Sequence, residues 1–128
     1  MEKALLGKTG FMVSRVTYGG IVSMNETQKD SDKYVSMVVD AGVNYFDVAP
    51  SYGDAQERLG PSLEPYRKNV YLACKTQIRD AKGAKAELLK SLEVLRTDYF
   101  DVYQLHAMTT KENLEQVFAP GGAMETLV

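Results

Sequence analysis

The sequence has one cysteine, Cys74, and one histidine, His106. A single thiol cannot cross-link the chain to itself, and no grouping of Cys and His has metal-ligand spacing, which argues against a disulfide scaffold and a zinc module alike. Basic charge is also scarce: 15 Lys and Arg stand against 17 Asp and Glu, a formal net charge of −2. That balance offers no cationic footprint to nucleic acid or to an anionic membrane surface. Long apolar runs are missing as well. The run nearest the start, Ala4-Leu5-Leu6, is cut off at once by Gly7-Lys8-Thr9-Gly10, which argues against a signal peptide and a membrane span. With an unpaired thiol, the expectation is a reduced, cytoplasmic setting.

What is present is the composition of an ordinary globular domain: 128 residues, 45% hydrophobic and 25% charged. Leu5-Leu6 and Phe11-Met12-Val13, on either side of a turn bounded by Gly7 and Gly10, predict an N-terminal β-hairpin. The Gly-Lys-Thr within that turn lacks the upstream glycine, the strand and the helix of a phosphate loop. Val16 to Gly20 predicts a first strand. Tyr34, Val35, Val38, Val39 and Ala41 then recur at helical spacing in a segment capped by Ser31 or from nearer Thr27, and closed by Gly42.

Val43, Tyr45 and Phe46 predict a second strand that ends on Asp47, with Pro50 forbidding any further ladder and Tyr52 in the loop beyond. Asp54 to Leu63 predicts a helix with Asp54 as its cap, Leu59 and Leu63 four apart, and Pro61 tolerated within it. Asn69 to Lys75 is an almost continuous apolar run of the kind found in strands buried on both faces. Asp80 to Arg96 predicts a helix with Ala84, Leu88, Leu89, Leu92 and Leu95 along one side. Tyr99 to Leu105 predicts a fourth strand, directly followed by His106. Lys111 to Val117 is a short helix, broken by Pro120-Gly121-Gly122, and another begins at Ala123.

Strands alternating with helices predict parallel pairing through right-handed crossovers. Two architectures share the pattern. A doubly wound sheet would announce itself by a glycine-rich fingerprint that Gly19-Gly20 does not complete, and would hold Lys75 and His106 far from Tyr52. A (β/α)8 TIM barrel would gather the carboxyl ends of all strands on one catalytic rim, bringing Asp47, Tyr52, Lys75 and His106 together. Each of these residues alone has an ordinary structural explanation, such as a turn cap, a snorkelling lysine or a satisfied histidine. Together they suit proton transfer to a carbonyl oxygen. A phenol is a weak acid near neutrality unless a cation stabilises its anion; Lys75 supplies that cation, Asp47 keeps it charged and oriented, and His106 donates to the same oxygen. No side chain supplies a hydride, so a reductase built this way needs a nicotinamide.

The hairpin Leu6-Gly7-Lys8-Thr9-Gly10, the run Gly42 to Asp47 with Tyr52-Gly53, Leu59-Gly60, Cys74-Lys75-Thr76, and Asp98-Tyr99-Phe100-Asp101-Val102-Tyr103-Gln104-Leu105-His106 together resemble the aldo-keto reductase family. The resemblance runs over nearly the whole chain. It implies a (β/α)8 barrel, NADP(H)-dependent interconversion of small carbonyl compounds and alcohols, and a catalytic tetrad of Asp47, Tyr52, Lys75 and His106. It also implies that Gly20 and Ile21, with Asp47, lie near the nicotinamide.

A complete barrel takes about 250 residues, so the expectation for 1–128 is a half barrel of about the first four βα units plus the hairpin. Met124, Leu127 and Val128 at helical spacing point the same way. Open strand edges predict self-association through a two-fold axis or a companion chain that completes the barrel. The alternative to an enzyme is a catalytically silent half barrel that binds cofactor or serves as an interaction module.

Overall fold

The structure, a computed structural model, describes residues 1–128. It opens with a hairpin of β1 (Lys3–Leu5) and β2 (Met12–Ser14), antiparallel, with Ala4 opposite Val13. Leu6 and Phe11 are therefore not strand residues as expected. They close the turn, with the Leu6 N–H donating to Phe11 O at 2.9 Å and Thr9 Oγ1 donating to Leu6 O at 2.6 Å.

The remaining strands are β3 (Tyr18–Gly19), β4 (Tyr45–Asp47), β5 (Tyr71–Thr76) and β6 (Val102–Leu105). Between and after them run α1 (Gln28–Asp40), α2 (Ala55–Leu63), α3 (Ala81–Val94), α4 (Lys111–Phe118) and α5 (Met124–Leu127). The sheet order is β3-β4-β5-β6 with every pair parallel. A doubly wound sheet reverses its strand order at a switch point. Sequential order, with a helix in each crossover, is the order of barrel staves, so the fold is an α/β half barrel with an N-terminal hairpin.

Two short 3-10 segments, Gly20–Ser23 and the longer Glu64–Asn69, are not among the elements expected from the sequence. Segments of one or two turns carry no periodicity to detect. The first of them corrects the expected strand over Val16 to Gly20: only Tyr18 and Gly19 pair with β4, and Gly20 already turns away from the ladder.

Helix ends follow local chemistry. Thr27 caps α1 by accepting from the Asp30 N–H at 3.1 Å. At the other end Gly42, with φ +89°, allows its own N–H to reach Val39 O (2.8 Å) and that of Val43 to reach Val38 O (2.9 Å). That pair of bonds is the Schellman closure, which needs a left-handed residue at this position. Asp80 caps α3 through the Gly83 N–H at 2.8 Å. Asp54 precedes α2 but does not cap it, because Oδ1 is taken by the Asn25 N–H at 2.7 Å and Oδ2 pairs with Arg58 at 3.4 Å. Pro61 lies inside α2; the carbonyl deprived of its donor belongs to Glu57, an exposed residue that water can serve.

The core lies between the outer face of the sheet and the helices. Phe46, Leu72 and Cys74 from the strands meet Val35, Leu59, Leu63 and Leu95 from the helices, none more than 2% exposed. The buried stripe of α3 is Ala84 and Ser91, continued by Leu95 just past its end, so Leu89, expected on the apolar side, is 54% exposed. Five residues past Ala84 it stands about 140° around the helix.

The amino-terminal end of the sheet is sealed by the hairpin. Asn44 accepts from the Ser14 N–H at 2.6 Å and donates to Met12 O at 3.0 Å, and the Phe11 and Tyr71 rings stack 4.7 Å apart. Arg67 and Asp101 pair there at 2.9 Å, almost out of solvent. What the sheet leaves accessible is its inner face at the carboxyl end.

Candidate active site

Parallel pairing dictates which side chains meet. Gly19 is in register with Asp47, Asp47 with Ala73, and Lys75 with Gln104. Registered residues share a face and alternate residues return to it, so Gly19, Asp47, Lys75 and Gln104 all project from the inner face at the carboxyl end. His106 follows β6 on the same parity. Its N–H donates to Thr76 O at 2.8 Å, which holds it on the sheet beyond the last paired residue.

Asp47 and Lys75 form the centre of the cluster. Lys75 Nζ donates to Asp47 Oδ2 at 2.6 Å. Burial pushes the lysine pKa down, but the hydrogen bond and the charge of Asp47, aided by the Tyr52 hydroxyl, outweigh it and leave the pKa above its ordinary value. The group is an ammonium throughout the neutral range. Asp47 Oδ1 is buried with no partner.

Tyr52 reaches the pair from the β4–α2 loop. Its N–H donates to Ala49 O at 3.1 Å and its carbonyl accepts from Ala55 at 2.9 Å, a tight turn that brings the ring back over the strand ends. Lys75 Nζ lies 5.5 Å from the centre of that ring. The His106 imidazole stands edge-on to it, with ring centres 5.9 Å apart and planes at 89°. The four residues expected on one rim are thus neighbours in space, in contrast to the arrangement a doubly wound sheet would give.

Gly20 is buried, and a Cβ on it would stand 2.8 Å from Asp47 O and 2.8 Å from Val48 Cβ. The 3-10 turn therefore lies flush against the end of β4. Ile21 and Val22 follow on that turn, each 50% exposed. Gly20 and Ile21, expected at the end of the first barrel strand, lie instead on the 3-10 turn that follows β3, with Gly20 against the Asp47 carbonyl.

Other features of the rim were not singled out from the sequence. Gln104 could have been, because it sits two residues before His106 in the strand pattern. A small cleft of about 160 Å³ is lined by Pro50, Ser51, Gln77, Glu87 and His106. Glu87 reaches it from α3, accepting from Thr76 Oγ1 at 2.5 Å. A helical glutamate carries no sequence signal for such a position. Arg79, in the β5–α3 connection, donates to the His106 carbonyl at 2.6 Å. A wider cleft, about 720 Å³, lies at the opposite end of the strands between the Glu64–Asn69 turn and the α3–β6 connection, away from this cluster.

A parallel sheet in sequential order, with a carboxylate, an ammonium, a phenol and an imidazole at its carboxyl rim, defines the class of the molecule as a βα-barrel protein. The chain belongs to the aldo/keto reductase family, whose profile matches residues 15–128. It is 32% identical over 125 residues to the aldo-keto reductase YhdN of Bacillus subtilis, an alignment covering 83% of this chain and 38% of that protein. An aldo-keto reductase from Bacillus halodurans, solved in its holo form, is 28% identical, with a TM-score of 0.71 over 91% of this chain and 45% of its own. An aldo-keto reductase structure from Pseudomonas aeruginosa, 24% identical, superposes with a TM-score of 0.86 over 98% of this chain and 52% of its own, a likeness of fold. The chain thus spans about half the length, or less, of the proteins it matches. No helix is long and apolar enough to cross a membrane.

Proposed function

We propose that this chain carries the proton-donating, cofactor-facing half of an NADP(H)-dependent reductase that converts small aldehydes or ketones to alcohols. The observation that supports this most directly is the 2.6 Å Asp47–Lys75 pair with the Tyr52 ring 5.5 Å from its ammonium. Tyr52 is the acid. It gives its phenolic proton to the carbonyl oxygen, and the adjacent ammonium offsets the negative charge left on the phenol oxygen. Asp47 keeps Lys75 charged and aimed. His106 donates a hydrogen bond to the same carbonyl oxygen, favouring the substrate pose in which Tyr52 is in line with it.

A reduced nicotinamide supplies the hydride that the carbonyl carbon needs and that no side chain here can give. The residues present fit such a group. Asp47 Oδ1, buried and without a donor, is ready to accept from a ribose hydroxyl. Ile21 offers a half-exposed apolar face on the turn that follows β3, and Gly20 keeps the backbone low against the end of β4. With the hydride so supplied, Tyr52 would give the proton that completes the alcohol and would be reprotonated from solvent.

The test is NADPH oxidation with a reactive aldehyde, run on this chain and on a chimera in which a full-length relative supplies the remaining strands. The chimera is expected to turn over and its Tyr52→Phe form to be slower by about 10²- to 10⁴-fold. Equal rates would overturn the assignment of the acid. A chimera that binds NADPH by fluorescence titration yet reduces nothing would instead support a cofactor-binding module.

A further inference from the structure

Arg79 is tied to the His106 segment more closely than to its own. It is half-buried in the connection between β5 and α3, and its Nη2 donates to two successive carbonyls, His106 O at 2.6 Å and Ala107 O at 3.2 Å. Its Nε points to Asn113 Oδ1, 3.3 Å away on the first turn of α4. One planar guanidinium thus joins the β5 end, which carries Lys75, to the β6 end, which carries His106.

The segment it holds has an unfavourable conformation. Ala107 has φ +54°, a left-handed backbone that an alanine rarely adopts. Such a bend persists only where the surroundings over-determine it. Here one side is set by the sheet, through the His106 N–H to Thr76 O at 2.8 Å, and the other by Arg79 on both carbonyls together with the Thr109 N–H on Ala107 O at 2.9 Å. If the guanidinium is removed, the Ala107 carbonyl keeps the Thr109 N–H as a donor and the His106 carbonyl is left without one. Nothing else in the structure donates to the His106 carbonyl, and His106 Nδ1 is itself buried without a partner, so the ring has no side-chain tether of its own.

We propose that Arg79 is a positioning residue for His106: by holding the 106–107 carbonyls it keeps the imidazole edge-on to Tyr52. This rests on the reductase reading, in which His106 orients the substrate carbonyl. Without the guanidinium, Ala107 relaxes toward negative φ and the imidazole swings away from Tyr52. Gly20 and Asp47, proposed to face the cofactor, stand on the β3–β4 side of the sheet and make no contact with Arg79.

The chain's only histidine makes the test clean, since each ring position gives one resonance. In proton NMR of the chain, the cross-peak between the His106 and Tyr52 rings, assigned by its loss in Tyr52→Leu, is expected to vanish in Arg79→Met while the His106 ring signal broadens or splits. Arg79→Lys, which retains one donor within reach of the carbonyls, is expected to recover part of the cross-peak. In the chimera Arg79→Met lowers kcat by about 10- to 10²-fold and leaves NADPH affinity unchanged. A wild-type cross-peak in folded Arg79→Met overturns the role of Arg79. If that variant does not fold, Asn113→Ala, which frees only Nε, must weaken the cross-peak, and an unchanged one overturns the proposal equally. Absence of the cross-peak in the unsubstituted chain overturns the tetrad geometry itself, and this inference with it.

Discussion

Lys75 Nζ and Asp47 Oδ2 stand 2.6 Å apart because two neighbouring parallel strands carry them on the same face two residues out of register. The pair raises the lysine pKa despite burial. A raised pKa means that the folded state holds the proton more tightly than the unfolded chain. The resulting stability is fully present below the unfolded value, near 10.5, and is lost as pH rises through the higher folded value. The stability gap between wild type and Lys75→Met is therefore expected to be constant from neutral pH to about pH 10 and to narrow above it. Urea midpoints measured across that range check it. A gap that closes below pH 9 would show that the ammonium is not held by Asp47.

The strand-borne groups of the rim are legible in the sequence, and the side chain that holds only backbone carbonyls is not. Asp47, Lys75 and His106 were legible because each sits at the end of a strand whose residue pattern is strong, and parallel topology does the rest. Tyr52 was legible as an aromatic in an otherwise small, polar turn. Arg79 was not: its partners are backbone carbonyls in another crossover, and carbonyls have no sequence identity. The hairpin register was displaced for a related reason, since Asn44 selects Met12 and Ser14 from a distance. Leu89 was misplaced because a run of leucines on α3 fits more than one apolar stripe, and only the neighbouring α2 decides between them.

Cys74 is expected to behave as a core residue and not as a reactive thiol. It is fully buried, and burial pushes its pKa up to about 11, against polar contacts that pull it down, among them the Gln56 side-chain N–H donating to Sγ at 3.4 Å. Iodoacetamide near neutral pH should label it only at the rate of unfolding. The sign for stability is the reverse of a gain: between about pH 9 and pH 11 the unfolded thiol ionises and the folded one does not, so stability falls as pH rises. Against Cys74→Ala, the excess loss across that window is about 2–3 kcal/mol. Fast labelling of the folded chain would contradict this.

At the other end of the sheet, Arg67 carries a structural load separate from the chemistry. Its guanidinium bonds Thr97 Oγ1 (3.0 Å), Val70 O (3.1 Å), Tyr99 O (2.9 Å) and Asp101 (2.9 Å), and lies 3.9 Å from the Tyr99 ring centre. Asp101 in turn accepts from the Leu72 N–H at 2.8 Å. Truncating the arginine strands a nearly buried carboxylate. Arg67→Ala is expected to destabilise by about 3 kcal/mol, with most of the loss recovered when Asp101→Asn is added. Denaturant melts of the cycle read this directly, and additive losses would mean that the pair is not coupled.

Gly19 and Gly20 are adjacent, yet they are expected to respond oppositely to the same methyl group. A Cβ at Gly20 would come within 2.8 Å of Asp47 O and of Val48 Cβ, backbone and core atoms with no room to yield. Gly20→Ala must therefore push the end of β4 outward, costing about 1–3 kcal/mol and disturbing the Asp47–Lys75 geometry together with stability. A Cβ at Gly19 would meet nothing within 4 Å, and its register with Asp47 puts it on the inner face. Gly19→Ala should leave the melting temperature unchanged while filling space on the inner face beside Asp47, where the nicotinamide is proposed to lie. Weaker NADPH binding by Gly19→Ala at wild-type stability would locate the cofactor on that face, whereas unaltered binding would move it elsewhere along the rim.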